Sequence, residues 1–219
     1  MGVTEVPADV VVVIDVLRFT TAVDAAVGHG VAVHPYRWRD ASAAAFASSV
    51  GAVLADGQTA SLSPESLLAL DPGSSVVLPS PNGSTCAALA AERGATVVAA
   101  CLRNAAAVGA WLALRGGTVT LVPCGERWPD GSLRPALEDL LGAGAVIAAL
   151  PGARSPEAAA AEAVWESSAD RLPEVLAGCA SGRQQHARGW DADLAFASRV
   201  GASGCVPVLV DGRFVDAAG

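Results

Sequence analysis

Lysine is missing from this chain: all 14 basic residues are Arg, set against 22 Asp and Glu. That absence excludes a Walker phosphate loop, whose Gly-x4-Gly-Lys motif needs a lysine to reach the phosphates. The formal net charge of −8 opposes binding of nucleic acid through a basic surface. Long apolar runs are missing too. None approaches the roughly 20 residues needed to cross a bilayer, and no basic segment precedes the first apolar stretch. The expectation is a soluble, cytoplasmic protein with neither nucleic acid nor membrane as partner. The five cysteines (Cys86, Cys101, Cys124, Cys179 and Cys205) include no pair at the spacing of zinc ribbons or thioredoxin motifs. None opens a Cys-x5-Arg phosphatase loop, because Asp130 and Gln185 stand six residues after Cys124 and Cys179. They read as reduced core thiols. His29, His34 and His186 lack metal-ligand spacing. An Asp-x-Asp phosphatase of the haloacid-dehalogenase type is excluded as well, since Leu17 holds the position of the second acid.

What is present is apolar and repetitive in rhythm. Hydrophobic residues make up 52% and charged residues 16% of the 219 positions, enough for a full core and against disorder. Short Val, Ala and Leu runs alternate with Ala-rich helical stretches, the pattern of repeated βα units. Strands are expected at residues 10–15, 31–36, 52–55, 75–79, 96–101, 118–123 and 205–210. Helices are expected near 20–28, 40–49, 64–70, 84–93, 104–114, 135–149, 156–168 and 191–199. The fold class implied is α/β, three layers in α/β/α order around a largely parallel or mixed sheet. Residues 1–219 form a single domain with a mostly helical segment near 152–200, which returns to the sheet through the last strand.

Val10-Val11-Val12-Val13-Ile14 is an unbroken apolar run, so it reads as a strand covered on both faces. Asp15 and Arg18 follow it directly, at the carboxyl end where open α/β sheets hold ligands. Asp15 also suits a helix cap. Three further strand ends carry polar residues. Ser80-Pro81-Asn82-Gly83-Ser84-Thr85 is a tight turn opening a helix, whose backbone N–H groups suit a phosphate. Arg103-Asn104 sets a guanidinium beside a helix-capping amide. The polar loop Cys124-Gly125-Glu126-Arg127 leads to a helix bearing Glu138 and Asp139, side chains about 100° apart, one suited to a cation and the other to fixing a neighbour. Arg183 to Asp193 reads as a helix ending at Gly189 and another capped by Asp191. Together these point to an anionic ligand held by Arg, backbone amides and a hard cation.

The ordered set Ile14-Asp15-Val16-Leu17-Arg18, Pro81-Asn82-Gly83-Ser84, Arg103-Asn104-Ala105, Cys124-Gly125 and Leu137-Glu138-Asp139 through Gly144 resembles the magnesium-dependent 2-phosphosulfolactate phosphatases. The resemblance spans nearly the whole chain and extends to Trp190, Asp191 and Asp193. It implies an α/β/α enzyme that hydrolyses 2-phosphosulfolactate, a small anionic phosphoester, to 3-sulfolactate and phosphate, in the setting of coenzyme M biosynthesis. By motif, Asp15, Arg18, Glu138 and Asp139 would be the catalytic residues. Arg18, Asn82, Gly83, Ser84 and Asn104 would bind phosphate, and Mg²⁺ would be held by Asp15, Asp139 and Gln58. Asp15 is open to the roles of ligand, base or nucleophile. A homo-oligomer is expected on general grounds.

The chain departs from the family pattern at Asp56-Gly57-Gln58 and Leu62-Ser63-Pro64, where a Glu and an Asn are usual. Gln58 offers a carbonyl to a cation without neutralising it. Ser80-Pro81 likewise replaces a usual Thr-Thr. These changes motivate an alternative, a catalytically reduced or repurposed member that binds an anionic metabolite. A different enzyme on the same scaffold is a third reading.

Overall fold

The computed structural model describes residues 8–217 of the chain. Ten strands are present among them: β1 Val10–Ile14, β2 Ala32–Tyr36, β3 Val53–Leu54, β4 Ser75–Pro79, β5 Thr96–Ala100, β6 Val119–Pro123, β7 Glu126–Arg127, β8 Leu133–Arg134, β9 Pro207–Val210 and β10 Arg213–Asp216. The helices are α1 Phe19–Gly28, α2 Ala41–Val50, α3 Pro64–Leu68, α4 Gly83–Ala91, α5 Ala105–Arg115, α6 Leu137–Ala148, α7 Pro156–Ser168, α8 Leu172–Gly178, α9 Ala180–Ala187 and α10 Asp191–Ala197. Eight strands form one mixed sheet in the order β3-β4-β2-β10-β9-β5-β1-β6, and β7 and β8 form a separate hairpin.

Alternation along β1 explains the three layers. Successive side chains of a strand point to opposite faces, so Val10, Val12 and Ile14 enter one core with Leu112 of α5, Leu141 of α6 and Leu176 of α8. Val11 and Val13 enter the other core with Phe19, Val23, Leu67 and Phe214. The uninterrupted apolar run is therefore a strand buried on both faces, as its composition implies.

The sheet is mixed because β9 and β10 are inserted between two parallel trios. β1 pairs in parallel with β5 and β6, and β4 pairs in parallel with β2 and β3. β9 runs antiparallel to β5, and β10 antiparallel to both β9 and β2. Strands β7, β8 and β10 and helix α8 are absent from the sequence expectation. The signal for β10 was Asp211-Gly212, whose positive φ values of 49° and 78° suit the tight two-residue turn that joins antiparallel strands.

β4 lies five strand positions from β1. At roughly 20–25° of twist per step, five steps rotate the strand direction by roughly 100–125°. Three antiparallel pairings intervene, so β4 runs opposite to β1; the turn after β4 still meets the end of β1, where Gly83 N donates to Asp15 Oδ2 at 2.9 Å. From 156 to 197 the chain is helical apart from short joints, and α9 and α10 lay their side chains over this meeting point. Among the described residues no helix is long and apolar enough to cross a membrane.

Candidate active site

Asp15 sits where the two trios converge. Its Oδ1 accepts from Phe19 N at 3.2 Å and its Oδ2 from Gly83 N at 2.9 Å, so one carboxylate joins the starts of α1 and α4. The capping reading thus holds for Asp15, and the same side chain lines the cavity beside it. Burial, with the charges of Glu126 and Glu138 adding to it, pushes its pKa up to about 6 against the pull of the two backbone donors. Gly83 is required here by space, since a Cβ would lie 2.2 Å from Phe19 Cδ1 and 2.9 Å from Asp15 Oδ2.

The cavity has a volume of about 340 Å³. Arg18, Arg39, Arg127 and Arg188 reach it from separate segments, and Asp15, Glu126 and Asn82 line it with them. Leu17, Phe19, Leu62 and Trp190 supply its apolar wall. Arg18 pairs with Asp193 and lies 3.8 Å from the centroid of the Trp190 ring. Ser63 Oγ donates to the other oxygen of Asp193 at 2.6 Å, which anchors the ion pair to the segment before α3. Asn82 Nδ2 donates to Glu126 Oε1 at 2.7 Å and so holds that carboxylate across from the β4 turn.

The predicted residues divide sharply between cavity and core. Asp15, Arg18 and Asn82 line the cavity, whereas Asp139 and Glu138 stand behind it. Asp139 Oδ1 accepts from Val16 N at 2.8 Å and Oδ2 from Gly125 N at 2.9 Å, tying the ends of β1 and β6 to α6. Burial first, then the charges of Asp15 and Glu138, hold its pKa well above the carboxylate range. Glu138 points another way, accepting from Cys179 Sγ at 3.4 Å.

The other residues expected to bind metal or phosphate stand outside the cavity lining. Gln58 is exposed in a turn held by Gln58 N donating to Asp56 Oδ1, with Gly57 at a φ of 95°. Facing solvent, it is not part of the cavity lining that Asp15 shares. Ser84 is fully buried and donates to Leu78 O at 3.1 Å. The Gly83 N–H is committed to Asp15. Asn104 begins α5 yet makes no cap bond to it; its Oδ1 accepts from Cys101 N and its Nδ2 donates to Ala99 O and Cys205 O. With its amide committed to three backbone groups in the core, it has no reach to a phosphate. Arg103 is likewise engaged, with Asp24 at 2.9 Å. Asp191 caps no helix and pairs with His186 Nδ1 at 2.7 Å.

Glu126, Arg39, Arg127, Arg188 and Ser63 were missed as site residues. Glu126 and Arg127 carried a signal, polar residues directly after a strand end; Arg39 and Arg188 carried none that distinguishes them from surface arginines.

The fold is α/β/α, with a cavity lined by four arginines beside the buried carboxylate of Asp15. The chain belongs to the 2-phosphosulpholactate phosphatase family, whose family model matches residues 3–212 of the 219. That family consists of phosphatases, hydrolases of phosphoric monoesters. A comparison with curated proteins finds no match.

Proposed function

We propose that this chain is a Mg²⁺-dependent phosphatase that hydrolyses a small acidic phosphoester such as 2-phosphosulfolactate, releasing phosphate and 3-sulfolactate. One observation carries the reading: four guanidinium groups and two carboxylates share one cavity of about 340 Å³. With Arg18 paired to Asp193, Arg39, Arg127 and Arg188 still outnumber the two carboxylates, which suits a substrate with a phosphoryl group and at least one further acid.

The donor set fits a hard cation in the mode Mg²⁺ prefers, one or two protein carboxylates completed by water and substrate phosphate. Among the described residues no group of three or more His, Cys, Asp or Glu side chains is placed to hold a metal ion, so water and substrate would have to supply most of the ligands. Asp15 and Glu126 would hold the cation, because both line the cavity and the Glu126 charge adds to burial in raising the cost of ionising Asp15. Bound there, Mg²⁺ would polarise the phosphoryl oxygens and offset their charge.

The remaining steps belong to side chains of the protein. Arg39, Arg127 and Arg188 gather the anionic oxygens of the substrate, with fork-shaped donors matched to phosphate and carboxylate. Arg18 is held in place by Asp193 and Trp190, so its guanidinium meets developing charge with little reorganisation. Asn82 orients Glu126. Leu17, Phe19, Leu62 and Trp190 exclude water and strengthen these electrostatic contacts.

The test is phosphate release from a panel of small phosphorylated hydroxy acids with and without Mg²⁺, for the native chain and Asp15→Asn. Release should require the metal and fall by about 100-fold or more in the variant. Absence of release from every member at millimolar Mg²⁺ would replace this reading with that of a binding protein for an anionic metabolite.

A further inference from the structure

Helix α9 supplies a wall of the cavity that phosphoryl binding leaves unused. Ser181 and Gln185 are one helical turn apart, which places them on one face of α9. Both line the cavity, and both are buried, at 4% and 5% exposure. Ser181 Oγ accepts from Arg134 Nη2 at 3.1 Å. A hydroxyl that accepts in this way keeps its own proton to donate. Gln185 Oε1 is buried with no hydrogen-bond partner among the described residues. Such orphaned acceptors are rare in native proteins.

We propose that Ser181 and Gln185 form a recognition site for a free hydroxyl group on the substrate, which donates to Gln185 Oε1 and accepts from Ser181 Oγ–H. A hydroxyl is the simplest group able to answer both at once. The terminal torsion of a Gln side chain is broad, so the amide turns toward the ligand at small cost. The inference rests on the phosphatase reading of the same cavity and narrows its substrate class. The preferred substrate is a phosphoester of a small hydroxy acid that retains a second, unesterified hydroxyl. Fully ionised 2-phosphosulfolactate has no such group: its one hydroxyl oxygen is the ester oxygen, and its acids only accept. Bound here, it leaves Gln185 Oε1 unpaired.

Two compounds isolate the effect. 2-Phosphoglycerate and 2-phospholactate share the phosphoryl and carboxylate groups and differ by one hydroxyl on the third carbon. Titration calorimetry with the full chain and Mg²⁺ gives the two dissociation constants, and phosphate release gives the two kcat/KM values. The hydroxylated compound should be favoured by about 10- to 100-fold. Gln185→Met and Ser181→Ala should each bring that ratio close to one. Equal affinity for the pair in the native chain, or a preference that survives both substitutions, overturns the proposal. A preference in binding with no phosphate released keeps the hydroxyl site and removes the phosphatase reading; release without preference does the reverse.

Discussion

Two aspartates with the same backbone duties have different prospects. Asp15 and Asp139 each accept two buried N–H groups, yet only Asp15 also opens on the cavity. Asp139 is therefore expected to act as a brace. Asp139→Asn replaces one accepting oxygen by a donor, which leaves Val16 N–H or Gly125 N–H facing another N–H. Leaving such a group unpaired costs about 1–3 kcal/mol, and for a chain of this length each kcal/mol lowers Tm by roughly 2–4 °C. Thermal unfolding should show that loss, and phosphate release from the variant measured well below its Tm should exceed that of Asp15→Asn. Activity as low as that of Asp15→Asn would return Asp139 to the catalytic set. Residue type and place at a strand end were enough to single out Asp15, Arg18 and Asn82. They were not enough for Asn104, because an amide after a strand looks the same in sequence whether it faces a ligand or three core backbone groups.

At the scale of elements, α6 holds the middle of one helical layer through its small residues. A Cβ at Gly142 would lie 2.8 Å from Ile14 Cγ2, and one at Gly144 would lie 2.2 Å from Ala161 O and 2.6 Å from Trp165 Cβ. The two glycines let α6 lie against β1 on one side and α7 on the other, while Asp139 on the same helix braces the strand ends. Gly144→Val should destabilise the fold by about 1–3 kcal/mol or more, the cost of overpacking a tight contact. Gly178→Ala is the matched control, since nothing lies within 4 Å of a Cβ there. Chemical denaturation of the two variants checks the contrast; equal midpoints would mean that α7 shifts freely. The small residues Gly142, Ala143 and Gly144 mark by composition a helix face able to pack closely. Its partner α7 was not, because nothing in a run of small residues names the surface they approach.

For the whole molecule, charge is distributed against its own average. The chain carries a formal −8, yet its cavity sets four arginines against two carboxylates. The proposed function predicts electrostatic capture of a polyanion that salt screens, since the Debye length shrinks from about 30 Å at 0.01 M to about 3 Å at 1 M salt. Under the phosphatase reading, kcat/KM should fall several-fold from low salt to about 0.5 M NaCl, with the slope reduced in Arg188→Gln. A flat profile would mean that the surrounding negative charge cancels the cavity's field.

Local chemistry by itself determined the strand run at β1, the acid and guanidinium that follow it, the α/β/α layering and the exclusion of lysine-dependent and cysteine-dependent phosphate chemistry. Each depends on neighbours in the chain: period-two burial, helix periodicity, or a residue type that is absent. Tertiary structure alone decided which polar strand ends share a cavity. The sheet order set by the β9–β10 insertion and the turn after β4 bring Asn82 to the cavity of Asp15, the helices of 156–197 bring Arg188, Trp190, Ser181 and Gln185 to it, and a surface turn leaves Gln58 outside. Those outcomes depend on summed rotations and long-range packing, to which residues far apart in sequence contribute together.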